Sequence, residues 1–329
     1  MKKLIHILTI ILSVSTFACQ QYKDYPEAIQ RAESCMDEHP DSALHLLTAY
    51  ADTIGMQSEE TRMYYHLLTH QAKDKLYMKP ESDSLINRIV AFYDETDDKD
   101  KQMLAYYYQG SVYRDLNDAP RALKAFQQVL QLGEGYPPCD LFARTYNQMG
   151  TLFAYQGLYD ESLEANKKAA EQFILQGKKN KISYALRDIA RMYDVKNQRD
   201  SASHYYQKAY QAAVSANDSN CMNRILGEMG CFLTHDSATR ETGKQILRSL
   251  ISQGKEYPNI LSCLGSLYRN EQKWDSAYHF LNKMKTTSDI KRRHKAYQDL
   301  FLLKAKRETT PWPTNTAYRP MPCVTPSTR

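Results

Sequence analysis

The clearest repeat unit in the chain is residues 190–213, ARMYDVKNQRDSASHYYQKAYQAA. Small and aromatic residues alternate in it, at Ala190 and at 3, 12, 16 and 19 residues after it: Tyr193, Ala202, Tyr206 and Ala209. The last three share one face of a helix, and small side chains let two helices approach closely while aromatic side chains fill the space beside them. The stretch therefore predicts two antiparallel helices that cross at small residues.

The same unit recurs along the chain. Four small residues are spaced by 40, a fifth follows after 35, and each precedes a large apolar residue by three positions. We call the small residue of each unit its anchor. The anchors are Gly110, Gly150, Ala190, Gly230 and Gly265, and their large partners are Tyr113, Phe153, Tyr193, Leu233 and Tyr268. A fixed period of this length predicts an all-α solenoid built from one repeated helix pair.

These residues resemble the tetratricopeptide repeat (TPR), in which helix A carries the small residue and its aromatic partner and helix B carries small, aromatic, small. The likeness extends from about residue 25 to 305 and implies a right-handed superhelix of antiparallel helix pairs. The likeness is partial near Gly150, where Asn166 replaces the aromatic residue of helix B. After Gly230 the helix B signature is no longer recognisable. Armadillo and HEAT repeats have a similar period, lack this signature and rank second.

Two further units are predicted before residue 100. Asp41-Ser42 and Asp83-Ser84 each precede an apolar pattern typical of helix B, so residues 25–100 are interpreted as divergent repeats and 101–305 as regular ones. Asp41, Asp200 and Asp275, each followed by serine, are also predicted to cap the N-termini of their helices.

The first residues resemble a bacterial lipoprotein signal. Lys2 and Lys3 precede an apolar run that ends at Ala18-Cys19, which predicts a signal peptide over 1–18, acylation of Cys19 and a tether over 19–24. Cleavage after Ala18 without acylation is the alternative. Such lipoproteins occur in the Bacteroidetes, and because no acidic residues follow Cys19, we expect a lipid-anchored protein of the cell envelope that faces the periplasm.

Charge argues against nucleic acid as a partner. The chain has a formal net charge of +5, all of it in the predicted signal and in residues 306–329, so the body from 19 to 305 is neutral. Nucleic-acid binding depends on clustered cations, so this class of partner is excluded.

The tail, residues 306–329, is rich in proline and threonine. It is interpreted as disordered or aberrant: either a truncated or frame-shifted end or an evolved binding segment.

Motifs for metals, cofactors and catalysis are missing from the sequence. His66 and His70 are four residues apart, yet no HExxH glutamate accompanies them, so a structural histidine pair is favoured over zinc. The cysteines after Cys19 form no CxxC pair, and no GxSxG motif occurs. We therefore expect no cofactor, no metal site and no enzymatic activity.

The TPR resemblance also implies a binding surface. Helix A lines the inner wall at positions −6, −3, +1, +4 and +5 from each anchor, and these positions hold six arginines against Asp115 and Asp194. The candidate peptide-binding residues are Tyr107, Arg114, Arg144, Asn147, Tyr184, Arg187, Arg191, Arg224 and Arg269. Arginine pairs with carboxylates through two hydrogen bonds, which favours an acidic peptide as the ligand.

The sequence thus predicts a membrane-tethered, non-enzymatic scaffold that binds a protein or peptide in its concave face. A sensor or regulatory subunit without its output domain, or an accessory factor of an envelope enzyme complex, is the alternative.

Overall fold

The computed structural model describes residues 25–287 and 290–309, and these residues form fifteen α-helices and no strand. The predicted signal peptide, Cys19, the tether and the tail beyond residue 309 lie outside the described residues. The helices are α1 (Glu27–Cys35), α2 (Pro40–Tyr50), α3 (Glu59–Lys75), α4 (Ser84–Asp94), α5 (Lys99–Asp115), α6 (Ala119–Leu132), α7 (Asp140–Tyr155), α8 (Tyr159–Leu175), α9 (Lys179–Val195), α10 (Arg199–Ser215), α11 (Ser219–Thr234), α12 (Arg240–Ser252), α13 (Pro258–Asn270), α14 (Trp274–Lys283) and α15 (Ile290–Thr309).

The predicted all-α repeat fold is confirmed. The chain divides into two compact units, residues 1–136 and 137–329; within the described residues the first unit contains α1–α6 and the second α7–α15. Short 3₁₀ segments follow α2 (Ala51–Met56) and α14 (Met284–Thr286). No helix among the described residues is both long enough and apolar enough to cross a bilayer.

The anchors are the points of closest approach between paired helices. A Cβ atom added to Gly110 would lie 2.5 Å from the ring of Phe126, and one added to Gly265 would lie 2.6 Å from Leu281. Each of these partners follows its anchor by sixteen residues, as Tyr206 follows Ala190 in another fully buried pair. Gly110 and Gly265 leave no room for a Cβ atom, and Ala190 carries the smallest side chain, which is why small residues recur at the crossings.

The second regular repeat uses polar groups at this crossing. Asn166, which takes the place of the aromatic residue, is 3% exposed, and a Cβ atom on Gly150 would lie 2.5 Å from its Oδ1. The Ser162 hydroxyl donates to the Gly150 carbonyl over 2.7 Å. A hydrogen bond between the helices therefore accompanies the close packing that an aromatic ring supplies elsewhere.

The turn between helices A and B also repeats. The residue seven positions after the anchor has positive φ in four units, at Asn117, Gly157, Asn197 and Gln272. The next amide donates to the carbonyl of the large apolar residue, as from Lys273 to Tyr268 over 2.8 Å. This is a Schellman-type helix end, and the fourth unit departs from it because residues 235–239 form a longer loop.

The predicted N-caps were wrong at three positions. Asp41, Asp200 and Asp275 lie inside the first turns of α2, α10 and α14, and no side-chain cap is formed at those three helices. Helices α10 and α14 begin soon after a left-handed turn residue, which places their aspartates within the helix. An acidic side chain there still interacts favourably with the helix dipole. The capping side chains are Ser58, Asp98, Asp118 and Asp218.

Candidate peptide-binding groove

Two adjoining cavities lie along the helix A side of the second unit, with volumes of about 740 Å³ and 360 Å³. Helices α11, α13 and α15 line both cavities, and α9 and α10 contribute further to the smaller one. The residues common to the two linings are Cys231, His235, Pro258, Asn259 and Arg292. Because the cavities share these residues, we treat them as one groove.

The inner-wall positions implied by the resemblance do line this groove in the last two repeats. Eight of the ten positions counted from Gly230 and Gly265 belong to one lining or the other. They are Arg224, Cys231, Thr234, His235, Asn259, Ser262, Ser266 and Asn270. The two exceptions are Gly227, which has no side chain, and Arg269.

Four charged side chains form an ion-pair cluster beside the groove. Arg187 Nη2 lies 2.8 Å from Asp188 Oδ1, and its Nε lies 3.8 Å from Glu228 Oε1. Arg191 reaches the same two carboxylates at 3.4 and 3.6 Å. Burial alone would lower the pKa of Arg187, but the two carboxylates outweigh it and hold that pKa above its ordinary value. Arg187 is therefore a structural group with a side chain only 14% exposed.

The six arginines are largely neutralised by carboxylates outside the predicted set, two of which lie two residues before an anchor. Asp188 and Glu228 both occupy that position, which lies on the same helix face as −6 and +1. Elsewhere Arg114 pairs with Asp74 and Asp115, Arg144 with Asp140, and Arg269 with Asp299.

Other candidate residues are also engaged. Tyr107 is 2% exposed and packs on Phe126 with ring centroids 5.7 Å apart, so its ring is not available to a ligand. Asn147 donates to Asp188 over 3.4 Å, and the Tyr184 hydroxyl donates to Asp218 over 3.5 Å. Tyr107 and Arg114 belong to the first unit, so the nine candidates do not form one site within either unit.

Arg224 differs from the other arginines. It is exposed, lines the smaller cavity together with Arg191, and lies 5.7 Å from the centroid of the Tyr257 ring. Among the ion pairs of the described residues, none involves Arg224. Tyr257 contributes to the same cavity and was not predicted as a site residue, because it lies outside the inner-wall positions.

The histidine pair lies in the first unit, on α3. Burial lowers the pKa of both imidazoles, and for His70 burial, assisted by the charges of Lys73 and His66, lowers it to about 4. Both side chains are therefore neutral at pH 7. Within residues 25–287 and 290–309, no group of three histidine, cysteine or acidic side chains is placed to hold a metal ion.

Residues 141–213, which span α8, α9 and parts of α7 and α10, match the tetratricopeptide repeat family model. No curated protein sequence matches the chain.

Three solved structures illustrate the similarity. A tetratricopeptide repeat protein from Parabacteroides merdae is 10% identical, with a TM-score of 0.59 over 84% of this chain and 98% of that one. NprR in complex with its cognate peptide NprX is 15% identical, with a TM-score of 0.60 over 83% and 82%. A signal-transduction ATPase with a tetratricopeptide repeat sensor from Pyrococcus horikoshii is 15% identical, with a TM-score of 0.60 over 85% of this chain and 43% of that one.

The chain thus spans less than half the length of the Pyrococcus protein. At these identities the likeness establishes the fold alone. The chain is an all-α helical-repeat protein of tetratricopeptide-like architecture.

Proposed function

We propose that this chain is a membrane-tethered, non-enzymatic scaffold that binds a carboxylate-bearing peptide or protein segment in the groove of its second unit. The observation that carries the proposal is the exposed Arg224, which faces the smaller cavity beside Tyr257. Together they offer a carboxylate paired hydrogen bonds and an adjacent aromatic surface.

The charge balance of the groove supports an acidic ligand. Three of its four carboxylates are already held by cations of the chain: Glu228 by Arg187 and Arg191, Glu271 by Lys244 and Lys273, and Asp299 by Arg269. The fourth is Asp194, whose pKa is raised by burial. Arg224 and Lys295 are exposed on its walls and take part in none of these pairs. A ligand carboxylate thus meets cations whose charge is not already neutralised.

Peptide binding as such has support from the shared architecture. NprR, which has the same fold at 15% identity, is solved with its cognate peptide bound. Asn259 and Asn270, at inner-wall positions of the last repeat, offer amide groups for hydrogen bonds to a peptide backbone. Because the identity to NprR is only 15%, the ligand of this chain is inferred from the residues of its own groove.

Capture of a partner from crosslinked cells tests the proposal. With Arg224→Ala we expect capture to be weaker by about tenfold or more, because removing a charged hydrogen-bonding group costs roughly 1.5–3 kcal/mol. Binding to the parent should also fall as salt rises. Lys168→Ala, which removes the same charge from α8, a helix that lines neither cavity, is the matched control. The proposal would be contradicted if Arg224→Ala and Lys168→Ala captured the partner equally well and salt did not weaken binding to the parent. Arg187 is unsuitable for this test because its loss would disturb the ion-pair cluster.

The tether is proposed from the sequence. If the thiol of Cys19 is acylated, the protein is held at a membrane of the cell envelope, and a periplasm-facing location follows from the lack of acidic residues after the cysteine. We expect Cys19→Ser to appear in the soluble fraction or to keep its signal peptide, as judged by fractionation and intact mass. Normal processing with full membrane retention would exclude acylation at this residue.

A further inference from the structure

Two cysteines face each other across the seam between consecutive A helices, where the two cavities meet. Cys231 lies on α11 and its thiol donates to the backbone carbonyl of Asn259 over 3.7 Å, while the sulfur of Cys263 on α13 lies 3.4 Å from the hydroxyl of Thr234. Asn259 precedes Cys263 by one helical turn, and Thr234 follows Cys231 by nearly one turn. These crossed contacts set the two helices in register and bring the thiols together.

The two thiols are neighbours with unequal surroundings. The neighbouring Cys231 thiol and the Thr234 hydroxyl lower the pKa of Cys263 below its ordinary value, and burial only partly opposes them. The neighbouring Cys263 thiol and burial raise the pKa of Cys231. As pH rises, Cys263 is thus the first of the two thiols to ionise, and Cys231 remains protonated.

We propose that Cys231 and Cys263 are a dithiol–disulfide exchange site in the floor of the groove. The Cys263 thiolate attacks one sulfur of a small disulfide RSSR, its S–S bond breaks, and a thiolate leaves as a mixed disulfide forms. Cys231 then loses its proton and attacks the Cys263 sulfur, which closes the Cys231–Cys263 bond and expels the second thiolate. Two cysteine thiols are oxidised and one RSSR is reduced to two RSH.

Access and pairing together distinguish these two thiols from the other described cysteines. Both thiols line the cavity of about 740 Å³, which is wide enough for a small disulfide reagent. Cys221 is fully buried and hydrogen-bonded to Ser183, and Cys35 and Cys139 are partly exposed single thiols. An exposed thiol without a resolving partner stops at the mixed disulfide, whereas the pair proceeds to an internal bond.

An internal bond here would fix the groove. It joins α11 to α13 at residues that line the cavities, so the two A helices could no longer separate to admit or release a ligand. This site does not depend on the chemistry of the ligand and goes beyond the peptide-binding proposal.

Timed exchange with 2-hydroxyethyl disulfide tests the inference on the full chain. At pH 7, alkylation and peptide mass mapping should show a dithiothreitol-reversible Cys231–Cys263 link that forms about tenfold faster than mixed disulfides at Cys35 or Cys139. Cys231→Ser should accumulate the reagent on Cys263, and Cys263→Ser should leave Cys231 reduced. Modification of Cys35 and Cys139 without any Cys231–Cys263 link, or preferential attachment of the reagent to Cys231, would overturn it. The unsubstituted chain decides the matter even if a serine variant misfolds.

Discussion

Replacing Phe126 by alanine is expected to lower the free energy of unfolding by about 3–5 kcal/mol, the range for a large aromatic side chain removed from a packed core. Phe126 is fully buried on α6, its ring packs on Tyr107, and it covers Gly110 at the crossing of α5 and α6.

Urea unfolding followed by circular dichroism measures this loss. Phe301→Ala is the matched control, since Phe301 on α15 is 71% exposed and its removal should change stability by no more than about 0.5 kcal/mol. A loss below about 1 kcal/mol for Phe126→Ala would contradict the packing of this repeat.

Alanine at Gly110 is expected to cost about 1–3 kcal/mol by overpacking. The sign of the change in unfolding free energy is informative. Within a helix alanine is favoured over glycine by about 1 kcal/mol, so the substitution would stabilise α5 if the site were not crowded. Here the new Cβ atom would lie 2.5 Å from the fully buried ring of Phe126, which has no room to withdraw. Gly55→Ala is the control, since no atom lies within 4 Å of its added Cβ.

A double-mutant cycle sharpens this second prediction. Once Phe126 is alanine, the added methyl at Gly110 has space, so Gly110→Ala should become neutral or stabilising in that background. Strong non-additivity is expected for residues in direct contact. Additive losses in the urea midpoints would mean that the two residues do not meet at the crossing.

The sequence predicts the fold well where packing depends on small residues. A glycine or alanine at each of the five anchors indicates that two helices approach closely, and a sixteen-residue step to the partner joins Gly110 to Phe126 and Gly265 to Leu281. The sequence predicts the fourth unit less well. Leu247 covers Gly230 there, seventeen residues later, so an aliphatic side chain fills the position without an aromatic signature.

Charge at the candidate site was harder to predict. The position three residues before the anchor lies one helical turn from the crossing and partly shares its buried face, which is why Tyr107 and Arg187 are enclosed. Some partners of the arginines are near in sequence, as Asp140 and Asp188 are. Others come from the next repeat, as Glu228 does, or from α15, as Asp299 does. Such pairs depend on how repeats stack, and no local pattern records it.

Site-specific photocrosslinking in cells tests most directly whether the groove of the second unit is the binding surface. A photoreactive residue at Asn270, which is exposed and lines the larger cavity, is compared with one at Lys168 on α8, outside both cavities. We predict a discrete adduct from position 270 that Arg224→Ala removes, and none from position 168. Adducts from position 168 with none from position 270 would contradict the account.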